Sequence, residues 1–275
     1  MTSAPGYRAA SSLALLPLAV LAALSTAGCQ RVQARSLARE GNELYRAGKL
    51  DEALTKFDEA ARLDPKLAVA FLHLGYAGMS LATSRPGPAA KKYADAATHA
   101  FARYMKLRPS DERGAKFYLQ TLLDAGQHEA ALAFLLEQHR RHPKDVSVVS
   151  SLGMVASKAG RFDEALGWYE KRAALQPKDP QAHHLIGSLC WQRLHKNAAV
   201  TGEARLKVAN RGIAALERAV ALRPDYGEAL VFINLLYRER ALGQPDAAAK
   251  ERDLERAREV YRRAEAALKR AAGQR

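Results

Sequence analysis

Eight histidines and two cysteines are the residues best equipped for chemistry in this chain, and their spacing argues against most of it. His183 and His184 are adjacent, and adjacent helical residues diverge by about 100°, so they cannot hold one ion from one face. His139 and His142 stand three apart near a helix end. His128 occupies a place where the matching stretches carry Leu50 and Phe162. No glycine-rich phosphate loop and no His-Glu-x-x-His spacing occurs, and nothing links a serine to a histidine and an acid. The expectation is a chain with no catalytic residues, no metal and no cofactor. The alternative is an enzyme whose site lies in inserted loops.

The cysteines divide by context. Arg8 precedes an apolar run from Ala9 to Leu24, which ends in Ser25-Thr26-Ala27-Gly28-Cys29. A short basic start, an apolar core and small residues before a cut site describe an export signal. Pro17 and the modest length of the run argue against a permanent membrane span. Thr26-Ala27-Gly28-Cys29 resembles the lipobox of bacterial lipoproteins, with Thr26 in place of the usual leucine. The resemblance implies a diacylglyceryl group on Cys29, cleavage before it, and tethering to a membrane facing the periplasm. Gln30, not aspartate, follows the cysteine, which by analogy favours the outer membrane. Residues 1–28 are thus read as the signal peptide and 29–33 as a short lipidated linker. With Cys29 acylated, Cys190 has no disulfide partner and is expected to be a buried structural thiol.

The elements that would position any site are repeats. Ala47-Gly48-Lys49-Leu50-Asp51-Glu52-Ala53-Leu54 recurs in near copy as residues 125–132 and 159–166. Each copy is followed by a proline: Pro65, Pro143 and Pro177. With Pro109 and Pro224 the gaps are 44, 34, 34 and 47 residues. A fixed period of this size signals stacked supersecondary units. Gly48, Gly126 and Gly160 fall just past a helix end, where a left-handed backbone suits glycine. Asp51 and Asp163 come near the start of the next helix and are read as its caps, where an acceptor and a negative charge favour the free N–H groups.

The first unit places Leu37, Gly41, Leu44, Gly48, Ala53, Phe57, Ala60 and Pro65 at the eight signature positions of the tetratricopeptide repeat, which it resembles. The fourth repeats the pattern with Val149, Leu152, Gly153, Gly160, Ala165, Tyr169 and Pro177. The resemblance implies an all-α solenoid of about six helical hairpins over residues 34–272. The unit boundaries fall near 34–67, 68–111, 112–145, 146–179, 180–226 and 227–272. The second and fifth units carry insertions, a Pro-Gly loop around Thr83–Pro88 and a segment near His195–Gly202, read as tolerated loops or lengthened helices, or else as a bipartite contact surface. Leu254, Ala257, Tyr261, Ala264, Leu268 and Ala271 predict the apolar stripe of a C-terminal capping helix.

In this family the first helix of each pair lines a concave groove that holds partner proteins. Carried over, the groove would present Asn42, Tyr45, Arg46, Leu72, Tyr76, Met79, Lys116, Gln120, Met154, Lys158, His184 and Trp191. Asn42 and Arg46 partly match the carboxylate-gripping positions of some members, but Val69 and Leu72 break that pattern in the next repeat. Aromatic, methionine and leucine side chains with a few cations suit an extended or helical segment with apolar anchors.

The net charge is +14. Export argues against nucleic acid, and no basic-aromatic stacking platform occurs. Alternating signs, as in Lys250-Glu251-Arg252-Asp253, describe solvated helix faces, while the basic excess could also hold the chain near anionic lipid. The sequence therefore predicts a lipid-anchored periplasmic scaffold for a cell-envelope complex, binding proteins through the groove and no small-molecule substrate. Lipid-anchored tetratricopeptide proteins include pilotins of type IV pilus secretins, the narrower alternative.

Overall fold

The computed structural model describes residues 16–273, with side chains from residue 28 onward. Arg8 and the first part of the apolar run of the expected signal lie outside the described residues. Among the described residues all regular structure is helical. The elements are α1 (Leu16–Arg46), α2 (Leu50–Leu63), α3 (Ala68–Ser84), α4 (Pro88–Leu107), α5 (Glu112–Asp124) and α6 (His128–Arg141), followed by α7 (Val146–Lys158), α8 (Phe162–Leu175), α9 (Pro180–Lys196), α10 (Gly202–Leu222), α11 (Gly227–Ala241) and α12 (Ala247–Gly273). The chain divides between Gln127 and His128 into two compact units. In the first, α1 through α5 pack each against the next. In the second, α6 through α12 do the same, and α9 also touches α11. This is the all-α helical-repeat fold that the proline period predicts.

Local chemistry sets the helix ends. Asp111, Asp145 and Asp179 precede α5, α7 and α9, and each carboxylate accepts backbone N–H bonds from the first turn. These satisfy donors that have no partner inside the helix. Gly48, Gly126 and Gly160 turn the chain with φ of 76°, 67° and 75°, a region costly for other residues. Asp51 and Asp163 lie inside the first turns of α2 and α8 and cap neither helix. Their charge still favours those N-termini.

One packing rule recurs in four of the hairpins. A glycine on the first helix receives a large side chain from the second. Phe57 lies against Gly41, Phe101 against Gly75, Tyr169 against Gly153 and Leu216 against Gly187. Phe57 and Phe101 are fully buried. Each such side chain contributes on the order of 1.5–3 kcal/mol by leaving water.

The insertions are lengthened helices. α3 and α4 run 17 and 20 residues and α9 and α10 run 17 and 21, against 13 or 14 for each of α5 to α8. Only Arg85–Gly87 is left outside helices in the first long hairpin, because Pro88 stands at the first turn of α4, where its missing N–H costs nothing. Side-chain bonds fasten both overhangs. Arg85 pairs with Asp51, whose carboxylate also accepts from the Tyr93 hydroxyl at 3.2 Å. Arg205, 6% exposed, pairs with Glu239 and donates to the Val200 carbonyl at 2.8 Å.

The stripe expected on the last helix is corrected. The buried residues of α12 are Ala249, Asp253, Ala257, Val260, Ala264 and Ala267, while Tyr261 and Leu268 are exposed. The helix is turned to bury Asp253 against Arg240 and Gln244.

Residues 29–33, read as a linker, are helical and belong to α1, and Cys29 is exposed. No helix among the described residues is long and apolar enough to cross a membrane.

Candidate functional site

In the second unit, α9 carries Trp191 and His195 one turn apart, so their rings stack at 4.7 Å. Phe232 of α11 meets the edge of Trp191 at 5.3 Å. With Tyr169, Leu189, Gln192 and Lys196, these rings line a recess of about 400 Å³. A second recess of about 380 Å³ shares Ser157, Leu189, Gln192 and Lys196 and adds Lys158, Phe162 and Arg193. Arg193 lies over the Phe162 ring, 5.3 Å from its centre. Neither recess has a carboxylate in its lining. Aromatic rings floor the first recess, and Lys158, Arg193 and Lys196 rim the second.

His184 sits behind that floor. It stacks on Tyr226 at 5.1 Å and meets the Phe232 edge at 5.4 Å. Both ring nitrogens are buried without a hydrogen bond among the described residues. Burial first, then Glu228 and Arg223 in opposite senses, sets its pKa below the ordinary value. At neutral pH it is uncharged and acts as a packing ring.

In the first unit, Tyr76 stacks on His73 at 6.0 Å and meets the edge of Phe117 at 4.9 Å. The Tyr45 hydroxyl is 2.9 Å from that of Ser80. Lys116 is exposed, its ammonium 5.7 Å from the centre of the Phe117 ring. Gln120 donates to Asp124 at 2.6 Å. Met79 lines a separate cavity of about 740 Å³ between the long hairpin and α5, with Ala82, Pro86 and Thr121.

The structure therefore sorts the predicted groove residues. Lys158 and Trp191 line adjoining recesses, with His184 beneath. Asn42 is half-buried, while Arg46 and Met154 are exposed. Leu72 is 4% exposed and packs with Ala97, Phe101 and Tyr104, and it also lines a cleft with Arg35, His73 and Arg113. His195 and Phe232 were not in the predicted set. The four-residue spacing of Trp191 and His195 was readable, whereas Phe232 reaches the recess only through helix packing. Among the described residues, no group of three or more His, Cys, Asp or Glu side chains is placed to hold a metal.

Two family models match the chain. The TPR repeat model covers residues 41–80, and the tetratricopeptide repeat model covers residues 122–189. The chain carries tetratricopeptide repeats. The matched segments include the Gly41–Phe57 and Gly153–Tyr169 contacts, so the tetratricopeptide signature and the observed packing coincide. Solved structures with similar folds include YrrB, described as a TPR protein with an unusual peptide-binding site. It is 20% identical with a TM-score of 0.44, over 70% of this chain and 88% of that one. MamA from Desulfovibrio magneticus RS-1 is 18% identical with a TM-score of 0.45, over 70% and 97%. No curated protein matches. The tetratricopeptide repeats make this chain a protein-interaction scaffold.

Proposed function

We propose that this chain is an exported lipoprotein, acylated on Cys29, whose repeats hold a partner protein during assembly of a cell-envelope complex. The recess floored by Trp191, His195 and Phe232 carries the partner reading. Its apolar floor and Lys196, with Lys158 and Arg193 in the adjoining recess, favour a segment that inserts an aromatic or aliphatic side chain and carries flanking acids. The anchor reading rests on Thr26-Ala27-Gly28-Cys29 and on the exposed cysteine. Lipid tethering would raise the local concentration of the scaffold at its work site.

The test is affinity purification of the tagged chain from detergent-solubilised membranes. An envelope-complex protein is expected in the eluate; a secretin there would specify the pilotin role. Trp191→Ala with Phe232→Ala should remove the partner while the chain still folds by circular dichroism. Retention by the folded double variant rejects the recess. Cys29→Ser should move the chain to the soluble fraction, and persistence in the membrane rejects the anchor.

A further inference from the structure

The first unit has a cleft of about 700 Å³ that the partner reading does not use. Arg31 and Arg35 of α1 line one side, Lys66 comes from the α2–α3 turn, and Arg108 and Arg113 come from the α4–α5 turn. Five cations thus converge on one hollow. Two carboxylates also line it, and both have work. Asp111 accepts from Arg113 and from the Tyr104 hydroxyl at 2.6 Å, and Asp64 accepts the Lys66 backbone N–H at 3.0 Å. Among the described residues Arg31, Arg35, Lys66 and Arg108 have no ion-pair partner. His73 also lines the cleft, and its Nδ1 has no hydrogen bond there.

The position of the cleft decides what would fill it. Arg31 and Arg35 follow Cys29 on one continuous helix. At about 1.5 Å per residue they lie roughly 3 and 9 Å along the axis from the thiol. The headgroup layer of a bilayer is about 5–8 Å thick on each side. Acyl chains on Cys29 would therefore hold these guanidiniums at headgroup depth. Guanidinium groups grip phosphate oxygens in pairs, and the hollow is large enough for a whole headgroup.

We infer that this cleft binds the phosphate of an anionic membrane lipid, docking the first repeats against the bilayer beside the anchor. The inference rests on the acylated-cysteine reading above. The recognising chemistry is a phosphate ester, shared with free phosphate, and the source assigned is the lipid.

The experiment uses the full chain carrying Cys29→Ser, so that the cleft is measured without acyl chains. Flotation compares vesicles of phosphatidylcholine with vesicles rich in phosphatidylglycerol. Each basic residue near an anionic surface strengthens binding about fivefold, so Arg31→Gln, Arg35→Gln and Arg108→Gln together should weaken the phosphatidylglycerol-dependent part on the order of 100-fold. A control with equal charge loss, Arg218→Gln, Arg252→Gln and Arg262→Gln, should leave it in place. Equal binding to both vesicle types overturns the inference, as does an equal loss in the two triple variants. Saturable binding of inorganic phosphate, or of a polyglutamate peptide, without preference for anionic vesicles overturns the lipid assignment. The two readings fail separately: a chain released by Cys29→Ser in cells that shows no anionic-lipid preference in vitro keeps its anchor and loses its cleft.

Discussion

Cys190 is wholly buried on α9, and burial pushes its thiol up to about 12. The thiolate is the reactive form, so at neutral pH this sulfur is inert while the fold holds. In a Cys29→Ser background, iodoacetamide should label no cysteine in the native chain and one on unfolding; native labelling at the rate of a free thiol would refute this. His73 and His184 make a related argument. Burial lowers both pKa values below 6.5, assisted at His73 by Arg113 and opposed at His184 by Glu228. Well above pH 6.5 they are neutral in both states and contribute no pH dependence. As pH falls below 6.5, the unfolded chain takes up protons that the folded chain refuses, so stability declines until the lowered folded values are passed. Urea midpoints should fall from pH 7 to pH 5, and His73→Phe with His184→Phe should flatten that slope. An unchanged slope would show that these rings are not its source.

The helical hairpin is the scale at which side-chain size sets stability. An alanine Cβ at position 153 would sit 2.5 Å from Cε1 of Tyr169, inside any tolerable contact. Gly153→Ala should destabilise by about 1–3 kcal/mol. Gly167 lies on the partner helix α8 with nothing within 4 Å of its added Cβ. Gly167→Ala should stabilise by about 0.5–1 kcal/mol, since glycine is a poor helix residue. Opposite signs in one hairpin, read from chemical denaturation, test the packing rule; equal signs would break it. The repeat itself was legible because Gly41, Phe57, Gly153 and Tyr169 are repeated chemistry at fixed spacing. The caps were legible too, in the aspartates two residues after Pro109, Pro143 and Pro177, but the more evident Asp51 and Asp163 drew that role. The Thr83–Pro88 stretch looked like a loop because proline and glycine serve loops and helix starts alike. The recess of Trp191, His195 and Phe232 depends on how α9 and α11 pack, which no local pattern encodes.

At the scale of the whole chain, a repeat stack holds each layer by its neighbour, so the last layer is decisive. α12 packs along α11, where its Val260 lines one recess with Leu230 and Ile233, both 4% exposed or less. It also supplies the Ala257 carbonyl that accepts from Asn234 at 2.5 Å and the Asp253 that neutralises Arg240. Asp253 is itself buried, which explains why its helix could not be oriented from apolar residues alone. A chain ending at Gln244 would expose that apolar face and leave Asn234 and Arg240 without those partners. Removing one member of a buried charge pair alone costs about 3–5 kcal/mol, and the lost apolar cover adds to it. Hydrogen exchange should then show amides of α11 and α10 opening far faster, with the loss fading toward α6. Amides of α1 to α5 should keep their protection, because the first unit has its own core around Phe57 and Phe101. Equal loss of protection in both units would mean that the chain unfolds as one cooperative body, and uniform protection throughout would mean that α12 is not needed as a cap.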